Sequence, residues 1–136
     1  MTGSFKDLKV YQIAFEAANT IFKISKRFPK EETYSLIDQI RRSSRSVCVN
    51  IGEGYRKRLY PKHFTSKMTD ADGEATETSI WLDFAFSCEY ISQDELNFLQ
   101  SKYQEIGKML NSMANHPEKF TPKTKSIRFK FFINYP

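Results

Sequence analysis

The side chains with the clearest chemical potential in this sequence are the basic ones in its middle third. Residues 41–67 hold eight Lys or Arg side chains and one acid, Glu53. Cations at this density can neutralise the phosphates of RNA or DNA, an interaction that depends on charge rather than on base identity. The sequence therefore predicts a nucleic-acid-binding patch, whose candidate residues are Arg41, Arg42, Arg45, Arg56, Lys57, Arg58 and Lys62.

The neighbouring block has the opposite sign, which leaves a second interpretation open. Residues 68–95 hold eight acids and no Lys or Arg, whereas the last twenty residues, from Pro117, hold five basic side chains and one acid. Charge runs are usually solvated faces, and opposite blocks can pair within one chain or between copies of it. The alternative is therefore a structural or adaptor homo-oligomer that binds a partner protein, with the two blocks paired between subunits.

Residue types that support catalysis or metal binding occur, but not in a suitable arrangement. Neither His63 nor His116 follows a glutamate at the spacing of a dinuclear metal site in a helical bundle. Cys48 and Cys88 match no zinc-binding spacing, and no glycine-rich phosphate loop precedes a helix. We therefore predict no catalytic residue, no metal and no cofactor: the protein is expected not to be an enzyme.

Four polar residues are predicted to form a structural network, namely Gln39, Asn50, Glu53 and Glu77. A buried charge must be paired, so the two carboxylates need partners if the bundle encloses them. We expect Glu53 and Glu77 to form ion pairs with the first three arginines of the patch, or hydrogen bonds with Gln39 and Asn50.

Hydrophobic spacing predicts the helices that carry these residues. Apolar side chains recur at intervals of three and four over about 5–28, 31–57, 61–88 and 92–115, which is the helical period. The apolar arc of the first helix is wider than one core requires, so we interpret the excess as a surface for another copy or a partner. Short connections favour antiparallel neighbours, and the expected fold class is all-α: an antiparallel up-down-up-down four-helix bundle.

The end of the sequence breaks the helical pattern. Ile127–Phe131 alternates apolar and basic residues, as a strand does, and such a segment can also stack on single-stranded nucleic acid. We therefore divide the chain into a bundle over 1–116 and a basic aromatic C-terminal tail over 117–136, irregular or strand-like. No apolar run approaches the roughly 20 residues that cross a bilayer, and a cytoplasmic location without a membrane partner is expected.

Several motifs within residues 5–114 resemble a known family. In chain order they are Phe5-x-x-Leu8, Phe28-Pro29-x-x-Glu32-x-Tyr34-x-Leu36, Gln39-Ile40-Arg41-Arg42, Ser46-x-x-x-Asn50-Ile51-Gly52-Glu53-Gly54-Tyr55, Phe64 and Ala71-x-Gly73-x-x-x-Glu77. The set resembles the bacterial four-helix bundle proteins, also called 23S rRNA intervening-sequence proteins. The resemblance implies a homo-oligomer, because the members of this family include homopentamers. It also implies kinship with the accessory variability protein of diversity-generating retroelements, which works with a reverse transcriptase and RNA.

The sequence departs from the family pattern at two places. Gly52 stands where the family usually has alanine, and the acidic Asp72 and Glu74 flank Gly73. Because two carboxylates repel phosphates, we expect no nucleic-acid surface on the third helix.

Overall fold

The chain folds into four α-helices. The structure is a computed structural model that describes residues 3–122. The helices are α1 (Lys9–Ser25), α2 (Leu36–Arg56), α3 (Pro61–Ser87) and α4 (Gln93–Asn115), and short 3₁₀ turns lie at Phe5–Asp7, Lys30–Glu32 and Pro117–Lys119. No strand occurs within the described residues, so the predicted all-α helical bundle is confirmed.

The core follows the heptad-like spacing of the last two helices. The predicted seam of α3 is fully buried at Phe64, Met68, Ala71, Ala75, Thr78, Leu82 and Ala85. The α4 seam is buried at Leu99, Tyr103, Ile106, Leu110 and Met113. Each large apolar side chain removed from water contributes roughly 1.5–3 kcal/mol, so these two seams anchor the bundle.

Small residues let α2 and α3 approach each other. A Cβ added to Gly54 would overlap Cε of Met68 and lie 2.8 Å from Cβ of Lys67. Further along the same pair of helices, the buried Thr78 hydroxyl lies 2.8 Å from the buried Ser43 hydroxyl. The small residues Ser43 and Gly54 therefore allow close packing between the two helices.

α1 buries a narrower face than its sequence pattern offers. Its buried residues include Val10, Ala14 and Ile21, whereas Phe15 keeps 50% of its surface exposed and Phe22 is half-buried. The excess apolar surface predicted for the first helix is therefore present.

Two helix starts differ from the sequence prediction. α2 begins at Leu36 rather than near Glu31, because Lys30–Glu32 forms a 3₁₀ turn and Ser35 leaves helical geometry at φ −122° and ψ −100°. The Glu32 carboxylate accepts a hydrogen bond from the Leu36 amide at 3.3 Å, so it satisfies a free N–H of the first turn from outside the helix. α1 begins at Lys9, after the 3₁₀ turn at Phe5–Asp7.

The described chain ends against the bundle. Phe120 stacks on Phe64 with ring centroids 5.3 Å apart, and the Thr121 hydroxyl donates to the Arg58 carbonyl at 3.4 Å. The alternating segment Ile127–Phe131 lies outside the described residues. Of the helices within residues 3–122, none combines the length and apolarity that crossing a membrane requires.

Candidate nucleic-acid interface

Arg41 and Arg45 of the predicted patch meet α1 around a single aromatic ring. The Arg41 guanidinium lies 4.6 Å from the ring centroid of Phe22, and that of Arg45 lies 5.2 Å from it. Lys26 of α1 adds a third cation, with Nζ 4.8 Å from the same centroid. The electron-rich ring face attracts each cation and partly offsets their mutual repulsion. We call Phe22, Lys26, Arg41 and Arg45 the Phe22 cluster.

Arg41 is held in place by the end of α1. Its Nε donates to the Ser25 hydroxyl at 2.8 Å, and a terminal nitrogen donates to the Phe22 carbonyl at 3.5 Å. Ser25 is fully buried, and its hydroxyl donates to the same Phe22 carbonyl at 3.0 Å. A guanidinium has five N–H donors, so most of those on Arg41 stay available for a ligand after these contacts.

No carboxylate neutralises the Phe22 cluster within the described residues. The ion pairs found there are Arg27–Glu95, Lys67–Glu53 and His116–Glu118. Asp38 lies on the same face of α2, three residues before Arg41, and forms no ion pair with it. Three uncompensated cations around one ring create a local positive potential that attracts anions.

One shallow groove adjoins this cluster, and a second lies further along α2. The first, of about 540 Å³, runs along the face of α2 from Ile37 past Arg42 to Val49. The second, of about 340 Å³, is lined by Val49, Tyr11 and Arg56 among others. Val49 lines both grooves, so the two lie next to each other on the outer face of α2.

Four of the seven basic candidates, namely Arg56, Lys57, Arg58 and Lys62, form a separate group at and beyond the opposite end of α2. Arg56 follows Arg41 by fifteen residues, which is roughly 22 Å along a helix. The Arg58 guanidinium lies 4.0 Å from the Tyr55 ring centroid and donates to the Tyr55 carbonyl at 2.9 Å, so it folds back onto α2. Lys57 and Lys62 are exposed. The seven predicted residues therefore occupy two groups rather than one patch.

The predicted ion pairs of the two carboxylates are wrong. Glu53 pairs instead with Lys67 of α3 at 2.9 Å, and this contact raises the pKa of Lys67. Glu77 accepts a hydrogen bond from Nε1 of Trp81 at 3.0 Å. Both carboxylates retain solvent contact, with 52% of the Glu53 side chain exposed, so neither needs an arginine as partner.

The two amides of the predicted network also make local contacts. Asn50 donates to the Ser46 carbonyl at 2.9 Å, one helical turn away. The side-chain oxygen of Gln39 accepts a hydrogen bond from a terminal nitrogen of Arg42 at 3.1 Å. This bond joins one residue of the predicted network to one arginine of the predicted patch. Each of the four residues therefore has its own separate partner, and the four do not form one network.

Phe22, Ser25 and Lys26 contact the predicted arginines or share their ring but are not among the residues predicted from the sequence. Charge density along the sequence indicates α2 and not the helix that packs against it. The sequence holds one signal, since Lys26 follows Phe22 by four residues and therefore shares its helical face. The face of α1 that meets α2 is set by tertiary packing.

The thiols and acidic groups do not build a reactive centre. Burial raises the pKa of the Cys48 thiol to about 11, so it stays protonated at neutral pH, and Cys88 is exposed at the end of α3. Nowhere in residues 3–122 do three or more His, Cys, Asp or Glu side chains converge as a metal site would require.

Together these features define a small four-helix bundle with unpaired basic side chains gathered on the seam of its first two helices. The chain belongs to the 23S rRNA-intervening sequence protein family, whose model matches residues 6–112. It is similar to the 1.70 Å crystal structure of a protein of unknown function from the S23 ribosomal protein family of Bacteroides thetaiotaomicron. That likeness has a TM-score of 0.69 at 28% identity and covers 78% of this chain and 95% of that one. No curated protein matches significantly. The resemblance drawn from the sequence motifs is thus confirmed.

Proposed function

We propose that this protein is a non-catalytic module that binds the phosphates of RNA or DNA through the basic residues of α2, repeated around a homo-oligomeric ring. The observation that carries the proposal is the Phe22 cluster, where three cations share one ring without a carboxylate partner. Arginine suits this role because its planar fork matches the geometry of phosphate oxygens.

Repetition would give a modest site useful strength. One cluster offers few phosphate contacts, but linked copies raise the effective concentration of each site for a polyanion that spans them. The family description refers to 23S rRNA, which makes a ribosomal RNA fragment the first probe to use.

The test is fluorescence anisotropy of a labelled RNA with the wild type and with the double variant Arg41→Glu, Arg45→Glu. Removing two phosphate contacts and adding repulsion should weaken binding at least tenfold at low salt. Lys108→Glu with Lys119→Glu is the matched control, since both lysines are exposed and neither forms an ion pair in the described chain. The control must lose far less affinity than the double variant. Failure of the wild type to bind RNA or DNA even at low salt would sink the proposal.

A second candidate is a structural or adaptor oligomer that binds a partner protein. It is favoured by Ile80 and Phe84, which lie four residues apart on the outer side of α3 with 48% and 53% of their surface exposed. Light scattering on the same charge-reversal variant separates the two candidates. Dissociation of the oligomer would make Arg41 and Arg45 interface residues. An intact oligomer that has lost RNA would make them ligand contacts.

A further inference from the structure

We infer that the seam between α1 and α2 binds single-stranded RNA or DNA, with unpaired bases on its aromatic side chains and phosphates on the cations at both ends. This rests on the proposed function and names the form of its ligand. The juxtaposition behind it is a row of aromatic rings along α1, two neighbouring grooves on α2, and basic residues in each groove.

The aromatic row follows one side of α1. Phe15 precedes Phe22 by seven residues, so the two share a face of the helix. Tyr11 stacks on Phe15 with centroids 5.9 Å apart and planes 25° apart, and Phe5 meets Tyr11 edge-on at 5.0 Å. Phe15 is 50% exposed, so part of its ring remains open to a ligand.

The two grooves on α2 lie beside this row, since Phe5 and Tyr11 also line the smaller groove. Val49, 56% exposed, lines both grooves, whose volumes are about 540 and 340 Å³. The first groove contains Arg41 and Arg45, and the second contains Arg56. A strand laid along the seam therefore meets cations, then an apolar and aromatic stretch, then a cation again.

This order of side chains suits a single strand better than a duplex. Bases of a single strand are free to stack on aromatic side chains, and such stacking tolerates any sequence because every base has a π-face. A duplex keeps its bases stacked on one another and offers mainly phosphates and sugars to a shallow surface. Phe15 and Val49 would then contribute little to the affinity for a duplex.

Different side chains of the seam contact the phosphates and the bases of the strand. The ring of Phe22 is already covered by cations at 4.6 to 5.2 Å, so it positions phosphate contacts rather than stacking on a base. Phe15 and Val49 carry the base contacts. Asp38 and Glu53 border the two grooves, and their repulsion confines the phosphates to the arginine side of each groove.

The experiment compares three labelled probes of equal strand length at one salt concentration: oligo(U) RNA, oligo(dT) DNA and a blunt RNA duplex. The wild type should bind both single strands at least tenfold more tightly than the duplex. Phe15→Ser and, separately, Val49→Ser should weaken single-strand binding about fivefold or more and leave the duplex unchanged. Phe98→Ser is the matched control, because Phe98 is 54% exposed on α4, away from the seam.

Each outcome decides a different claim. If no probe binds, the proposed function fails and the inference falls with it. If single strands and duplex bind equally, and Phe15→Ser changes neither, the proposed function stands and the single-strand inference is overturned. A preference above tenfold for oligo(U) over oligo(dT) would also overturn it, because a stacking surface does not read the 2′-hydroxyl. Dissociation of the oligomer by Phe15→Ser in light scattering would place Phe15 in a subunit interface and likewise reject the inference.

Discussion

Phe22 converts three separate cations into one cluster. Lys26 comes from its own helix, whereas Arg41 and Arg45 come from the next, and each lies 4.6 to 5.2 Å from the ring centroid. Like charges this close repel one another, and the ring together with the hydrogen bonds of Arg41 to Ser25 and Phe22 offsets part of that cost. An arriving phosphate would offset more, so we expect this place to attract an anion more strongly than scattered surface lysines do.

A buried hydroxyl supplies a prediction at the same scale. Tyr103 is 4% exposed and its hydroxyl has no hydrogen-bond partner in the described part of the chain. Burial raises the pKa of this phenol well above its ordinary value, so the hydroxyl stays neutral. It lowers the free energy of unfolding because a buried polar group without a hydrogen bond is less stable than one in water. Tyr103→Phe should therefore raise the free energy of unfolding by about 1 to 2 kcal/mol, measured by urea denaturation.

Tyr90→Phe provides the contrasting variant. The Tyr90 hydroxyl donates to the Glu32 carboxylate at 2.9 Å, and this bond raises the pKa of Tyr90 to about 12. Loss of this hydrogen bond should lower the free energy of unfolding, whereas Tyr103→Phe should raise it. A destabilised Tyr103→Phe would mean that the hydroxyl is bonded in solution.

The sequence predicts those residues whose role depends on their own helix. The buried seam of α3 from Phe64 to Ala85 follows directly from spacing, because a seven-residue rhythm leaves one face apolar. The partner of Glu53 could not be predicted in this way, since Lys67 lies across a turn on the next helix. The same holds for the Phe22 cluster, which depends on how α1 rotates against α2. The charge distribution of the sequence therefore predicts Arg41 and Arg45 but not the Phe22 ring that both contact.

At the scale of elements, the contact between α2 and α3 depends on one glycine and not on its neighbour. An added Cβ at Gly54 would lie 2.8 Å from Cβ of Lys67, a backbone-anchored atom that cannot move aside freely. An added Cβ at Gly52 would reach the Phe5 ring at 3.4 Å, which is ordinary van der Waals contact.

The two alanine substitutions should therefore have opposite effects. Gly54→Ala should lower the free energy of unfolding by about 1 to 3 kcal/mol, because overpacking outweighs the better helix propensity of alanine. Gly52→Ala should raise it by up to about 1 kcal/mol, because there the propensity gain is unopposed. Denaturation followed by circular dichroism at one protein concentration measures both. Equal effects would show that α2 and α3 are not in close contact at Gly54.

The start of α4 gives the bundle a dependence on pH. Glu95 accepts a hydrogen bond from the Ser92 amide at 2.9 Å and pairs with Arg27 at 2.6 Å. The Ser92 amide, followed by Arg27, holds the pKa of Glu95 below its ordinary value against the opposing effect of burial. A carboxyl group with a lowered folded pKa stabilises the protein above its unfolded pKa, and that stability is lost as pH falls through the folded value.

Glu95→Gln tests this dependence. The variant should be less stable than the wild type at pH 7, and the difference should shrink as the pH falls below about 4. Urea midpoints across the pH range measure the effect. Glu105→Gln is the control on the same helix, because Glu105 forms no ion pair within residues 3–122 and should show no such convergence. A difference that stays constant with pH would mean that the Glu95 charge does not stabilise the cap.

At the scale of the whole molecule, an exposed apolar pair lies on α3, apart from the basic seam of α1 and α2. The uncompensated cations gather on the seam of α1 and α2, while Ile80 and Phe84 protrude from α3. Large exposed apolar side chains close together often mark sites of association. If copies join through α3, the basic seam of each copy stays free, and a ring presents the seam once per subunit.

The two surfaces should therefore respond to salt in opposite ways. Nucleic-acid binding should weaken steeply, because each neutralised phosphate releases counterions, whereas an apolar subunit interface should persist or strengthen. The double variant Ile80→Ser, Phe84→Ser should dissociate the oligomer in light scattering. Tyr60→Ser is the control, since Tyr60 is 60% exposed at the far end of α3. An oligomer that dissociates in moderate salt would instead be held by the basic and acidic blocks, and the seam would then be covered by a neighbouring subunit rather than open to a strand.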